Sequence, residues 1–162
     1  MMKRLMMIAL FLCSAHWANP AGATCWQAAG ARYQIDPLLL YAIAKVESRL
    51  DPTARNVNRD GTYDIGLMQV NSRHLKRLAA FGIDAQKLQD EPCTSVMTGA
   101  WILAEFIQRM GYGWEAVGAY NAGAKPSRGD LRSRYAQRVW AYYSDLVELR
   151  RQQLEPGAGR PQ

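Results

Sequence analysis

Histidine and cysteine are scarce in this 162-residue chain, and the shortage limits its chemistry. It holds two histidines, His16 and His74, and three cysteines. These are too few and too scattered to compose a zinc-type site, which draws on three or four such ligands. No metal and no cofactor is therefore expected. Long apolar runs are missing too: the stretch from Leu5 to Ala15 falls well short of the roughly 20 residues that span a bilayer. The chain has no block of Lys and Arg and no basic stripe interleaved with aromatics, so nucleic acid is not an expected partner. No internal repeat is visible.

The amino terminus reads as an export signal. Lys3 and Arg4 supply a positive start, the apolar run follows, and Ala21, Gly22 and Ala23 form a small-residue cleavage site before Thr24. Cys13 could mark a lipoprotein, but bulky Phe11 and Leu12 precede it where small residues belong. Residues 1–23 are thus expected to be removed, leaving an exported, periplasmic protein without a stable membrane anchor. Loss of Lys3 and Arg4 reduces the formal charge from +6 to +4, a mildly basic balance that suits an anionic polymer. Cys13 leaves with the signal. Cys25 and Cys93 then form an even pair in an exported chain, which reads as one disulfide, two separate buried thiols being the other reading. Such a bond would contribute about 4 kcal/mol on the chain-entropy account.

The remaining pattern is mainly α. A short helix is expected over residues 24–33. Asp36 then caps a second helix with Pro37 in its first position, where a missing N–H costs nothing. Leu39, Ile43, Val46 and Leu50 form its apolar stripe, and Asp51-Pro52 is expected to end it. The segment "ARNVNRDGTYDIG" breaks the helical period, and Asp60-Gly61 suggests a small β-hairpin over residues 56–64. Further helices are expected from Ser72 to Gly82, from Cys93 to Met110, over residues 114–120 and over residues 131–154. The tail over residues 155–162 lacks packing residues and reads as disordered.

Glu47 is the odd residue. Its helical neighbours would be Ile43, Ala44, Leu50 and Asp51, none of them basic. A carboxyl on the margin of an apolar stripe is partly desolvated, which raises its pKa toward the range of a general acid. Periodicity alone reads as well for a solvated glutamate or for one paired with a distant arginine.

Other words in the chain add to this. Glu47-Ser48, "GLMQVN" over residues 66–71, "AYNAG" over 119–123 and "YAQRVW" over 135–140 occur in that order. Together they resemble the catalytic domain of the SLT-type lytic transglycosylases, lysozyme-like enzymes that cut the glycan strands of bacterial peptidoglycan. The resemblance covers residues 25–143 and is nearest in form to small exported members associated with secretion, conjugation and pilus systems. It implies a lysozyme-like helical domain with a small β-hairpin over residues 24–154. It also implies glycan strands as substrate, and components of such an apparatus as further partners.

By that resemblance Glu47 is the single catalytic acid and base. Ser48 orients it or the substrate's N-acetyl group. Gly66, Met68 and Gln69 line the cleft, Met68 as an apolar wall and Gln69 as a hydrogen-bonding group. Tyr120 and Asn121 contact substrate, and Tyr135 reaches the catalytic carboxyl. Leu67 reads as core. Two departures stand out: Ala124 replaces a proline common after "AYNAG", and Asp64-Ile65 replaces a small residue before the glycine. Asp64 either belongs to the hairpin or faces Glu47 as a second carboxylate. A hydrolytic muramidase on the same fold, and a wall-binding assembly factor with little turnover, therefore remain as alternatives.

Overall fold

The computed structural model describes residues 24–155. The expected signal over residues 1–23 and the tail from residue 156 lie outside the described residues. Helix α1 (Cys25–Tyr33) begins where Gln27 folds back to accept from the Thr24 backbone N–H at 2.7 Å, and it ends at Gln34, which turns left-handed. Helix α2 (Pro37–Ser48) starts as its sequence dictates: Oδ1 of Asp36 accepts from the Leu38 N–H at 2.9 Å, with Pro37 at the first position. Leu39, Leu40, Ala42, Ile43 and Ala44 are buried, so α2 lies deep in the core.

The end of α2 differs from expectation. The helix stops at Ser48, because Arg49 and Leu50 both adopt positive φ, 57° and 69°. The chain reverses there, leaving Glu47 one residue from the helix end. Leu50 is half-buried beside the core instead of continuing the stripe.

The hairpin forms from β1 (Arg55–Val57) and β2 (Tyr63–Ile65), with Gly61 at φ 80° in the connecting turn. A third strand, β3 (Val70–Asn71), extends it into an antiparallel sheet of order β1-β2-β3. Asn56 and Asn71 flank Asp64 in register on its two sides. A two-residue strand has no sequence period to read, and this one exists because the 66–69 segment folds back.

The helix expected from Ser72 to Gly82 is broken into a 3-10 turn, α3 (Leu75–Leu78) and a second 3-10 turn closed by Gly82. Helix α4 (Ala85–Asp90) was not anticipated; Asp84 caps it by accepting from the Lys87 N–H at 2.9 Å. Helix α5 (Pro92–Met110) buries Val96, Ala100 and Leu103 as its spacing predicts. Cys25 and Cys93 are bonded, tying the start of α1 to the start of α5 across a Cα–Cα distance of 5.2 Å. Helix α6 (Trp114–Ala122) runs two residues longer than expected, so Asn121 and Ala122 are helical. Helix α7 (Gly129–Leu154) packs along both α2 and α6. Among the described residues no helix is long and apolar enough to cross a membrane.

Candidate active site

The last turn of α2, the second turn of α7 and the bend between β2 and β3 meet around Glu47. From α7 the Tyr135 hydroxyl donates to Oε1 of Glu47 at 2.6 Å. Tyr135 is only 1% exposed, whereas Glu47 is half-buried and keeps contact with solvent. Burial is the main reason the Glu47 carboxyl is pushed up to about 7. The Tyr135 hydrogen bond opposes that rise, the charge of Asp64 adds to it, and the charge of Arg138 opposes it. Among the described residues no cation forms an ion pair with Glu47. Burial and the Glu47 charge hold the Tyr135 phenol well above its ordinary value, so it remains a donor.

The bend over residues 66–69 is held from every side. Ser48 Oγ donates to the Leu67 carbonyl at 2.8 Å, and the Tyr120 hydroxyl donates to the Met68 carbonyl at 2.8 Å. The Met68 N–H donates to Ser95 Oγ at 3.1 Å. Nε2 of Gln69 donates to the carbonyls of Gly66 and Ala54, at 2.8 and 3.0 Å, while its Oε1 accepts from Asn56 at 2.5 Å. This network holds Gln69 at φ 47°, a left-handed geometry that a non-glycine residue avoids without such bonds. Gly66 is required by space as well as by its φ of 71°: a Cβ there would lie 2.2 Å from the Leu88 carbonyl oxygen.

These contacts revise several expected roles. Met68 is 0% exposed and packs against Gly99, so its side chain is core and not a cleft wall. Gln69 is a buried strut with both ends of its amide engaged by protein, leaving no free end for sugar. Ser48 and Tyr120 each spend their hydroxyl on a backbone carbonyl of the bend. Gly66 shapes the bend against α4. Leu67 is buried, consistent with a core role. Asn121 is exposed and, among the described residues, makes no side-chain hydrogen bond; of the expected substrate contacts it is the freest.

Asp64 stands on β2 with its carboxylate accepting from Asn71 at 2.7 Å and from Asn58 at 3.0 Å. It is a sheet residue whose charge also reaches Glu47 and Tyr120. Its bonds place it in the hairpin, and what reaches Glu47 is its charge. Ser95, Asn58 and Arg138 were not singled out from the sequence. Ser95 sits in an apolar helix with nothing to mark it, Asn58 looks like a turn residue, and Arg138 is one arginine among many.

Two hollows lie elsewhere. One of about 400 Å³ is lined by Trp114, Ala136 and Trp140, around the helix from Tyr135; another of about 360 Å³ includes Phe81 and Trp101. Neither is lined by Glu47, and the perturbed carboxyl with its phenol partner marks the chemistry instead. Among the described residues no cluster of three His, Cys, Asp or Glu could hold a metal ion.

Comparison with known proteins gives the family and the fold. The family model described as "Transglycosylase SLT domain" matches residues 24–143. The chain is 50% identical over 131 residues to "Invasion protein IagB" of Salmonella typhi, covering 81% of this chain and 82% of that protein. It is 46% identical over 121 residues to "Protein IpgF" of Shigella flexneri, covering 75% of this chain and 80% of that one. It also matches the "X polypeptide" of Escherichia coli K12 at 43% identity over 125 residues, 77% of this chain and 71% of the relative. Among solved structures, an inactive mutant of lytic transglycosylase Slt from Pseudomonas aeruginosa superposes with a TM-score of 0.60 at 21% identity. That match covers 76% of this chain and only 24% of the larger protein, and it bears on the fold alone.

Proposed function

The chain belongs to the transglycosylase SLT domain family and is a peptidoglycan lytic transglycosylase, and from that premise we propose how it works and which of its residues do the work. Glu47 first acts as general acid, protonating the glycosidic oxygen of the β-1,4 bond between N-acetylmuramic acid and N-acetylglucosamine. The substrate's N-acetyl group stabilises the cationic centre at C1. Glu47, now a carboxylate, then takes the proton from the C6 hydroxyl of the same muramic residue as its oxygen attacks C1. A 1,6-anhydro ring closes and no water is consumed.

The observation that carries this reading is a half-buried carboxyl raised to about 7, bonded by a phenol and, among the described residues, in no ion pair. A group titrating near neutral pH is poised both to give and to regain a proton. Glycosidases in general divide acid and nucleophile between two carboxylates, with substrate-assisted enzymes as exceptions. Here the nucleophile is the substrate's own hydroxyl, and holding it beside C1 replaces a bimolecular attack with an intramolecular one. Tyr135 steadies the carboxyl through both steps. Ser48, Tyr120, Gly66, Met68 and Gln69 hold the floor beneath it, and Asn121 is left to meet the sugar.

The mature unit in this reading spans residues 24–154 and works in the periplasm, where a disulfide persists. Relatives named invasion proteins support a local wall-opening role during assembly of a secretion, conjugation or pilus apparatus. The Asp64 charge felt at Glu47 favours one second reading, hydrolysis by a pair of carboxylates. Mass spectrometry of digested sacculi separates them. Anhydro-muropeptides are expected; products with reducing ends would replace the transglycosylase step with hydrolysis. A Glu47→Gln protein that still cuts the wall would remove Glu47 from the mechanism.

A further inference from the structure

Helix α7 carries five arginines, and they fall into two groups. Arg132, Arg150 and Arg151 are paired with Glu115, Asp36 and Glu148. Arg134 and Arg138 are exposed and, among the described residues, make no hydrogen bond and no ion pair. At about 100° per residue they lie on the same side of the helix, one turn apart, with Arg138 the nearer to Tyr135. The Arg138 guanidinium stands 5.4 Å from the centre of the Tyr135 ring, whose hydroxyl holds Glu47. Arg138 is thus a cation over the Tyr135 ring, beside the active site, with no ion pair among the described residues.

Its placement works against the acid step. A positive charge near Glu47 favours the carboxylate form, and that is its effect here. Tyr135 opposes it more strongly but spends its hydroxyl on Glu47, whereas the Arg138 guanidinium has no hydrogen-bond partner among the described residues. The scissile bond leaves C1 of a muramic residue, and the lactyl group of that same sugar bears a short peptide with free carboxylates. C1 and the lactyl group belong to one sugar ring, so with C1 seated at Glu47 the peptide leaves the sugar close to the reacting centre.

We infer that Arg138, supported by Arg134, binds a carboxylate of the stem peptide on the muramic residue being cut, so that the enzyme prefers peptide-bearing glycan to stripped glycan. This rests on the peptidoglycan-cleaving reading above. Guanidinium suits the task because its planar fork matches a carboxylate in two hydrogen bonds.

The test is a binding measurement on the Glu47→Gln protein, which separates recognition from turnover. Isothermal titration calorimetry is run with a short glycan fragment carrying its stems and with the same fragment after amidase removal of the stems. Adding Arg138→Gln is expected to weaken binding of the stem-bearing fragment on the order of tenfold. Binding of the stripped fragment should stay within about twofold, and Arg138→Lys should recover part of the loss, as a charge without the fork. Equal weakening on both fragments, or none on the stem-bearing one, overturns the inference. If the Glu47→Gln protein binds neither fragment, the glycan-cleaving reading fails first and takes this inference with it.

Discussion

The Tyr135 hydroxyl donates to Oε1 of Glu47 across 2.6 Å, joining two residues 88 positions apart at the meeting of α2 and α7. This bond favours the charged form of Glu47, while burial favours the neutral form more strongly. Tyr135→Phe removes the opposing contribution and leaves the volume nearly unchanged. The Glu47 pKa then rises further, and the alkaline limb of the pH–rate profile moves to higher pH. Because Glu47 must also become a base, the rate at the optimum falls. Urea unfolding should show a loss of about 1 kcal/mol for the buried hydrogen bond. A profile that moves to lower pH would contradict this.

Glu47→Gln should lower the rate by about 10²-fold or more, through loss of general acid–base catalysis. Its stability should move the other way. The folded-state pKa of Glu47 is raised, so the folded protein holds a proton that the unfolded chain releases near 4.5. The wild type therefore loses stability as pH climbs from about 4.5 through about 7, by up to about 3 kcal/mol. The variant lacks this dependence and should be the more stable protein at pH 8. Parallel pH dependences in chemical denaturation would contradict the raised pKa.

Asp64→Asn takes away a negative charge that raises the Glu47 pKa. The alkaline limb of the pH–rate profile should move to lower pH, opposite to Tyr135→Phe. Measured on the same sacculi, the anhydro product should persist. Loss of all cleavage at every pH would give Asp64 a direct part in the chemistry.

Gly66→Ala should destabilise the fold by about 2–4 kcal/mol, from a positive φ and from overpacking against the Leu88 carbonyl. Thermal unfolding checks it. Ser95→Ala tests the same bend from α5: it leaves the buried Met68 N–H without its acceptor, at about 1–3 kcal/mol.

Much of the scaffold could be read in advance because its signals are local. Asp36 and Pro37 announce the start of α2, Asp60-Gly61 announces the hairpin turn, and Val96, Ala100 and Leu103 repeat at helical spacing. The end of α2 could not, since Arg49 and Leu50 turn left-handed, a conformation that non-glycine residues do not announce, and Leu50 then packs against the core. The same is true of β3, whose two residues pair only because the 66–69 bend is pinned by Ser48, Tyr120 and Ser95. Glu47 stands out by what its own helix withholds from it, but only the later words over residues 66–71, 119–123 and 135–140 separate it from a solvated glutamate. The work of Gln69 could not be read, because a glutamine beside a glycine gives no hint whether its amide faces sugar or backbone.

Digestion of purified sacculi in water enriched in oxygen-18, followed by mass spectrometry of the released muropeptides, tests the central claim most directly. The account predicts 1,6-anhydro ends carrying no label, since the attacking oxygen is the substrate's own C6 hydroxyl. Reducing ends that carry the heavy isotope at C1 would contradict it.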